Sequence, residues 1–183
     1  EHAADVPDIV RELLHQGDTV ACGGSVTLVE TGVIDLLHQG GYHFLDRFQR
    51  GLSTEQVKEI YRSAFSADAF LCSANAITED GELYNVDGNS NRVSALLYGP
   101  DSVIVVAGCN KIVKDLDGAR ERVRSIAAPT NAAHLKRSTP CVNSGRCEDC
   151  QCEDRICCNY VVSAQQRIKG RIKVILVGEE LGY

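Results

Sequence analysis

The chain has 183 residues and a mass of 19.9 kDa, with 44% hydrophobic and 24% charged residues. This composition excludes disorder, a collagen-like repeat and a coiled coil, and a chain of this length buries about two-thirds of its unfolded surface in a core. A net charge of −6 argues against generic binding to a phosphate backbone, and the longest apolar run, residues 103–107, is far too short to cross a bilayer, so neither nucleic acid nor membrane is expected as a partner.

The apolar spacing of Ile9, Val10, Leu13 and Leu14, with Pro7 near the start and Gly17 at the end, predicts a first helix. Residues 18–22 read as a strand and Gly23-Gly24-Ser25 as a turn. A second helix follows over 27–39, with Val29, Val33, Leu36 and Leu37 on one face and Gly40-Gly41 as its stop. Residues 42–45 form a second strand. Ser53 opens a third helix, with Gln56 in the capping-box position. Residues 69–73 and 82–86 are strand-like, with a hairpin-type turn at Glu79-Asp80-Gly81 between them. A short helix over 92–97 precedes residues 102–107, an apolar run expected of a strand buried on both faces. A helix over 115–126 and a last strand over 173–177 complete the order. The basic stretch 167–173 alternates with apolar residues and reads as one face of a strand rather than a binding patch. Strands alternating with helices predict an α/β protein, a three-layer α/β/α arrangement with a mostly parallel sheet, forming a single domain over 1–183.

There are nine cysteines, six of them between Cys141 and Cys158. Cys22, Cys72 and Cys109 end apolar runs, where a free Cys acts as a small buried hydrophobe. An odd total in a chain this large does not fit a secreted disulfide scaffold; a reducing cytoplasm is expected, with the clustered thiols available for metal. The chain has no Met and begins Glu1-His2, so a natural start upstream is expected and the lack of a visible signal peptide weighs little. From about Pro140 the composition changes, and 141–158 reads as a small Cys-rich metal-binding insertion near the C-terminus. Its spacing is Cys141-x5-Cys147-x2-Cys150-x-Cys152-x4-Cys157-Cys158. Cys147-x-x-Cys150 is a two-thiolate chelate, with Gly145 allowing a tight turn before it. Adjacent residues of an extended chain point to opposite sides. Cys157 is therefore taken as a ligand with Cys141, Cys147 and Cys150, Cys158 as a packing residue and Cys152 as a spare. Four thiolates suit an iron–sulfur cluster or, alternatively, Zn²⁺. Disulfides and idle thiols are the competing readings.

A strand, two glycines, a hydroxyl and a helix start favour a phosphate or carboxylate, through free N–H groups and the helix dipole; the expected contacts are Gly23, Gly24, Ser25 and Thr27. The sequence is neither a P-loop nor the dinucleotide fingerprint. Thr27-x-x-Glu30 equally fits a capping box, so Glu30 either caps its helix or serves the site. Residues 75–92 are dense in Asn, Asp, Gly and Thr, and such stretches are usually turns that satisfy their own backbone. That bland reading leads here. The functional one takes Asn75, Thr78, Asp87 and Asn91 as ligand contacts and Arg92 as the pair of an anionic substrate, with Glu79, Asp80 and Asp87 as acid–base groups if partly buried. Lys111 either binds an anion at the carboxyl end of the most buried strand or opens the next solvated segment.

Six motifs in order resemble the lactate-utilization family, proteins with the LUD domain. They are 23–32 (GGSVTLVETG), 75–83 (NAITEDGEL), 87–93 (DGNSNRV), Asn110-Lys111-Ile112-Val113, 127–132 (AAPTNA) and Arg155-Ile156-Cys157. The match runs from about Asp18. Members usually carry an additional N-terminal helical region, and Cys152 is extra to the family pattern. The resemblance implies a fold similar to the ribose-phosphate isomerase and CoA-transferase superfamily, where a Gly-rich loop holds the anionic part of the substrate. It also implies a component of an iron–sulfur-dependent system oxidising L-lactate to pyruvate, with a small anionic substrate, other lactate-utilization subunits as partners and a homo-oligomer as a further option. Two alternatives stand beside it. One is an isomerase- or CoA-transferase-like enzyme with Glu30 or Glu79 as nucleophile or base and a structural zinc. The other is a non-catalytic assembly or sensing subunit.

Overall fold

The computed structural model describes residues 2–183. In chain order it contains α1 (Val6–Leu13), β1 (Thr19–Cys22), α2 (Val26–Glu30), α3 (Val33–His38), β2 (His43–Leu45), α4 (Thr54–Ser63), β3 (Ala69–Cys72), β4 (Ala76–Thr78) and β5 (Leu83–Asp87). There follow α5 (Asn91–Tyr98), β6 (Ser102–Gly108), β7 (Ile112–Val113), α6 (Leu116–Arg122), α7 (Ala128–His134), α8 (Pro140–Ser144), β8 (Asn159–Ser163) and β9 (Ile172–Val177). These residues fall into two compact units. One comprises residues 2–73, Ser94–Cys109 and Gln166–Gly182; the other comprises Ala74–Val93, Asn110–Gln165 and Tyr183.

The first unit holds a five-stranded sheet in the order β2-β1-β3-β6-β9, every pairing parallel. A parallel sheet needs cover on both faces, which is why its strands are continuous apolar runs. On one face Val20, Leu71, Ile104, Val106 and Ile175 pack with Val6, Val10, Leu28, Val33 and Leu37 from α1, α2 and α3. The alternate residues Ala21, Phe70, Val103 and Val105 are buried as well. Truncating a fully buried Leu28, Leu71 or Ile104 to Ala costs about 2–5 kcal/mol.

The helix expected over 27–39 is two helices. Thr31 Oγ1 donates back to Thr27 O at 2.8 Å, and Gly32 then takes a φ of 72°. A side chain resists that left-handed conformation, so the chain breaks at glycine. The break leaves Val29 exposed, against the expected stripe, while Val33, Leu36 and Leu37 stay buried. At Ser53 the capping box forms: Gln56 N–H donates to Ser53 Oγ at 3.2 Å and Ser53 N–H to Gln56 Oε1 at 2.8 Å. The basic stretch 167–173 is not a strand face. Gly170, at φ 77°, precedes β9, and the buried Arg171 donates to Pro100 O at 3.0 Å and Leu96 O at 2.9 Å, satisfying carbonyls at the end of α5.

The second unit holds a four-stranded sheet in the order β7-β4-β5-β8. β4–β5 and β5–β8 are antiparallel and β4–β7 is parallel. This second, mixed sheet was not expected; β4 and β7 are too short for a periodic signal, and β8 emerges from the Cys-rich coil. The hairpin turn is as expected, with Thr78 N–H donating to Glu82 O at 3.0 Å and Gly81 at φ 89°. Asp115 caps α6, accepting from Gly118 N–H at 2.9 Å. The helical path runs past its expected end at 126 through a π-type turn, Val123–Ala127, into α7. Pro129 sits at the start of α7 and has no N–H to return to the preceding turn, and the wider turn absorbs that loss. Buried Arg122 donates from Nε to Asn110 O at 2.9 Å and from Nη1 to Asn75 O at 2.6 Å. Among the described residues no helix is long and apolar enough to cross a membrane.

Candidate functional site

β1 and β2 run parallel with Ala21 opposite Leu45, so the turn after Cys22 and the loop after Leu45 leave the carboxyl edge of the sheet side by side. At that turn one expected backbone donor and two hydroxyls are used within the fold. Gly23 N–H donates to Leu71 O at 2.9 Å and so extends the sheet. Ser25 is the N-cap of α2, its Oγ accepting from Leu28 N–H at 3.2 Å. A five-residue helix also sums few peptide dipoles. Thr27 is buried, and its hydroxyl donates to Leu181 O at 3.4 Å. Glu30 does not cap its own helix: Oε2 accepts from Gly182 N–H at 2.6 Å, tying the C-terminal segment to α2.

What lies over Gly24 is a guanidinium. A Cβ at this position would collide with Arg47 Nη2. Arg47 Nη1 donates to Tyr61 OH at 2.6 Å, and its guanidinium carbon sits 4.3 Å from the Phe48 ring centre and 5.4 Å from that of Tyr61. Sequence reasoning missed this residue. Its signal was the aromatic Phe48 directly after a charged residue in the loop that follows a strand, a pairing that only the fold brings to the glycines. The adjacent Cys22 thiol is pushed up to about 12 by burial, with the Arg47 charge opposing the shift.

The stretch 75–92 binds itself. Asn75 Oδ1 accepts from Val86 N–H at 2.8 Å and from Arg92 Nη2 at 3.0 Å. Thr78 Oγ1 accepts from Glu82 N–H at 3.0 Å. Asp87 accepts from the N–H groups of Asn89, Ser90, Arg92 and Val93, which locks the entry to α5 at Asn91. Arg92 Nη1 donates to the buried Asn85 Oδ1 at 2.6 Å. These are the backbone-satisfying roles of a turn-rich loop. Glu79 and Asp80 are exposed, so the partial burial that an acid–base role required is missing there. Lys111 is 3% exposed within a single 3₁₀ turn, Cys109–Lys111, and does not open a solvated segment. Cys22 and Cys72 are buried as expected, whereas Cys109 is exposed.

In the second unit Cys141, Cys147, Cys150 and Cys157 line one cavity of about 10 Å³, together with Ala128, Thr139, Glu148, Arg155 and Ile156. Cys152 and Cys158 do not line it. Cys152 Sγ lies 3.4 Å from Cys150 Sγ, and Cys158 is exposed. Cys141 is placed by the short helix α8, which Gly145 ends at φ 72°. Cys147 N–H donates to Arg124 O at 2.7 Å, and Arg124 Nη1 donates to Asp149 Oδ2 at 2.8 Å. Arg155 spans the segment, donating from Nη1 to Cys150 O at 2.6 Å and from Nε to Cys157 O at 2.9 Å. Burial, with Cys157 nearby, pushes the Tyr160 hydroxyl up to about 12. All nine thiols are unbridged. Among the described residues no three His, Cys, Asp or Glu side chains draw together into a metal-holding group. The donor chemistry of the cavity nevertheless fits a thiophilic ion, since four cysteines line it, two of them in the Cys-x-x-Cys chelate spacing.

These features define an α/β protein with a polar turn at the carboxyl edge of a parallel sheet and a separate thiol-lined cavity. The sequence profile of the LUD domain matches residues 1–177, and the chain belongs to the LUD domain family. Among solved structures it is similar to a DUF162 family protein from Deinococcus radiodurans, with 19% identity, 97% of this chain and 85% of that chain covered and a TM-score of 0.51. That likeness concerns the fold. Looser matches are eIF2B delta from Chaetomium thermophilum (16% identity, 62% and 49% covered, TM-score 0.42) and 5-methylthioribose 1-phosphate isomerase from Pyrococcus horikoshii (19%, 61% and 40%, TM-score 0.40). No curated protein matches the chain.

Proposed function

We propose that this chain is a component of an iron–sulfur-dependent system that oxidises L-lactate to pyruvate in a reducing cytoplasm, beside other subunits of that system. In this reading a small anion binds at the turn 23–25, and Cys141, Cys147, Cys150 and Cys157 hold a metal centre. The observation that carries it is that Cys141, Cys147, Cys150 and Cys157, without Cys152 or Cys158, line one cavity. Membership of the LUD domain family supports the pathway. A centre on four thiolates supplies either electron-transfer capacity, as an iron–sulfur cluster, or a structural cross-link, as zinc. The chain's own part is positioning: Arg155 fixes the backbone at Cys150 and Cys157, and the Arg124 carbonyl fixes Cys147.

The size of the cavity favours a second reading. About 10 Å³ is room for roughly one water-sized sphere, which suits a single tetrahedral ion better than a cluster. The centre would then be zinc and its role structural, in an isomerase- or transferase-like enzyme or an assembly subunit. Anaerobic purification followed by absorbance, iron, sulfide and zinc analysis tests both. Iron with acid-labile sulfide supports the first reading. Colourless protein with stoichiometric zinc overturns it in favour of the second, and protein with neither metal overturns both.

A further inference from the structure

The parallel sheet ends on an open edge. β9 is its last strand, paired with β6. Val103 N–H donates to Arg171 O at 2.8 Å and Cys109 N–H to Glu179 O at 3.1 Å, so the odd-numbered residues along β9 turn their backbone groups toward β6. In a parallel ladder the alternate residues point the other way. Ile172, Val174 and Leu176 therefore aim N–H and C=O outward, and among the described residues nothing bonds to them there. Natural edges are guarded by proline, by an outward charge or by a covering loop. β9 has no proline, and its single charge, Lys173, is turned back to Ser102 Oγ at 3.0 Å. Val174 and Leu176 are 43% and 45% exposed. Residues two apart share a face, so the bare edge carries an apolar side as well.

We infer that β9 is the seat of a second copy of this chain, laid antiparallel about a two-fold axis so that two five-stranded sheets become one. A second copy is the occupant because the edge is self-complementary. With the axis at Ile175, Val174 lies opposite Leu176 of the second copy and Leu176 opposite its Val174, and each such pair exchanges two backbone hydrogen bonds. Charge at the two ends agrees. The exposed Arg167 and Lys169 precede β9, and the exposed Glu179 and Glu180 follow it. Antiparallel pairing brings the basic end of one strand to the acidic end of the other, twice in the interface, whereas parallel pairing would bring like charges together. Each chain has one β9, so the pairing closes at two copies. This inference is independent of both the anion site and the metal centre.

Analytical sedimentation of the full chain tests it. The expected species has twice the 19.9 kDa of one chain and dissociates more readily as salt rises. Val174→Pro removes an outward N–H and no bond to β6, so it should give a folded monomer. Leu176→Lys sets a charge in the middle of the interface and should do the same; it keeps the test open if the proline variant fails to fold. Circular dichroism reports the fold of each. Lys169→Glu should raise the dimer Kd about 10-fold, because two equivalent charge pairs are lost together, and adding Glu180→Lys should recover most of that loss. A wild-type chain that stays monomeric at millimolar concentration overturns the proposal. A dimer that survives both Val174→Pro and Leu176→Lys overturns the β9 seat. A dimer that Lys169→Glu leaves unchanged or tightens overturns the antiparallel orientation, and growth beyond two copies overturns the two-fold closure.

Discussion

Arg171 in the parallel-sheet unit and Arg122 in the mixed-sheet unit are buried to nearly the same degree, 5% and 6% exposed. Both spend their guanidinium on backbone carbonyls: Arg171 on Pro100 and Leu96, Arg122 on Asn110 and Asn75. Their surroundings differ. Around Arg171 the backbone is already satisfied by five parallel strands and their helices. In the unit of Arg122 the coil from Gly145 to Cys158 has no ladder, and side chains stand in for one. Arg155 holds two Cys carbonyls, Arg124 holds Asp149, and Asp154 accepts both Arg137 Nη1 and Ser138 N–H. A ladder is cooperative, whereas single side-chain bonds each contribute only about 0.5–1.5 kcal/mol. The mixed-sheet unit therefore has the most to gain from the proposed metal.

The largest effect that bears on this contrast is removal of the proposed centre. The double change Cys141→Ser with Cys157→Ser should abolish metal binding and remove hydrogen-exchange protection across 139–163, while amides of β3 and β6 stay protected. Cys152→Ser and Cys158→Ser should leave metal content and protection unchanged. Equal loss of protection in both sheets would break the contrast. Next in size is Arg122→Met. It leaves two carbonyls unpartnered in the less regular unit and should cost about 3 kcal/mol in chemical denaturation. Arg171→Met should cost a similar amount, about 3 kcal/mol, because Leu96 and Pro100 are themselves buried and their carbonyls gain no water in exchange.

How far the sequence could be read follows the same division. Apolar runs such as Ser102–Gly108 announce a parallel strand because burial on both faces demands them. The capping box at Ser53 and the hairpin turn at Gly81 are short-range, and both formed as expected. The two-residue β7 and the three-residue β4 have no period to detect, and their existence depends on partners far along the chain. In the Cys-rich segment the spacing picked out the four cysteines that line one cavity, but the arginines that hold the coil were not legible. At the turn after β1 the glycines were legible and their use was not. The sequence pointed to backbone N–H groups, whereas the cation facing Gly24 comes from the loop after the neighbouring strand.

A smaller effect distinguishes the units by pH. The Cys22 thiol, ordinarily near 9.0, holds its proton to about 12 in the fold because burial disfavours the thiolate. The unfolded chain releases that proton first, so alkali favours unfolding. This contribution is complete below about pH 9 and falls by about 1.4 kcal/mol for each further unit until the folded value is reached. Between pH 8 and pH 10 the wild-type chain should lose about 1.4 kcal/mol more than Cys22→Ala, read from urea midpoints at the two values. Identical pH slopes would show that the carboxyl edge of the sheet admits water at Cys22.

The smallest effect isolates the backbone from packing. Gly32 separates α2 from α3 at φ 72°, and a Cβ there would meet only Pro7 Cγ at 3.8 Å, an ordinary contact. Gly32→Ala thus adds no clash, and its whole cost, about 1 kcal/mol, is the left-handed conformation forced on an alanine. Gly32→Asn should recover part of that loss, because asparagine tolerates this region. Gly24→Ala is the converse case, an ordinary backbone with a collision at the Arg47 guanidinium. It should leave the urea midpoint almost unmoved while disturbing the Arg47 side chain. If Gly32→Ala were neutral and Gly24→Ala costly, the break between α2 and α3 would not depend on glycine, and the guanidinium over Gly24 would be a fixed structural brace.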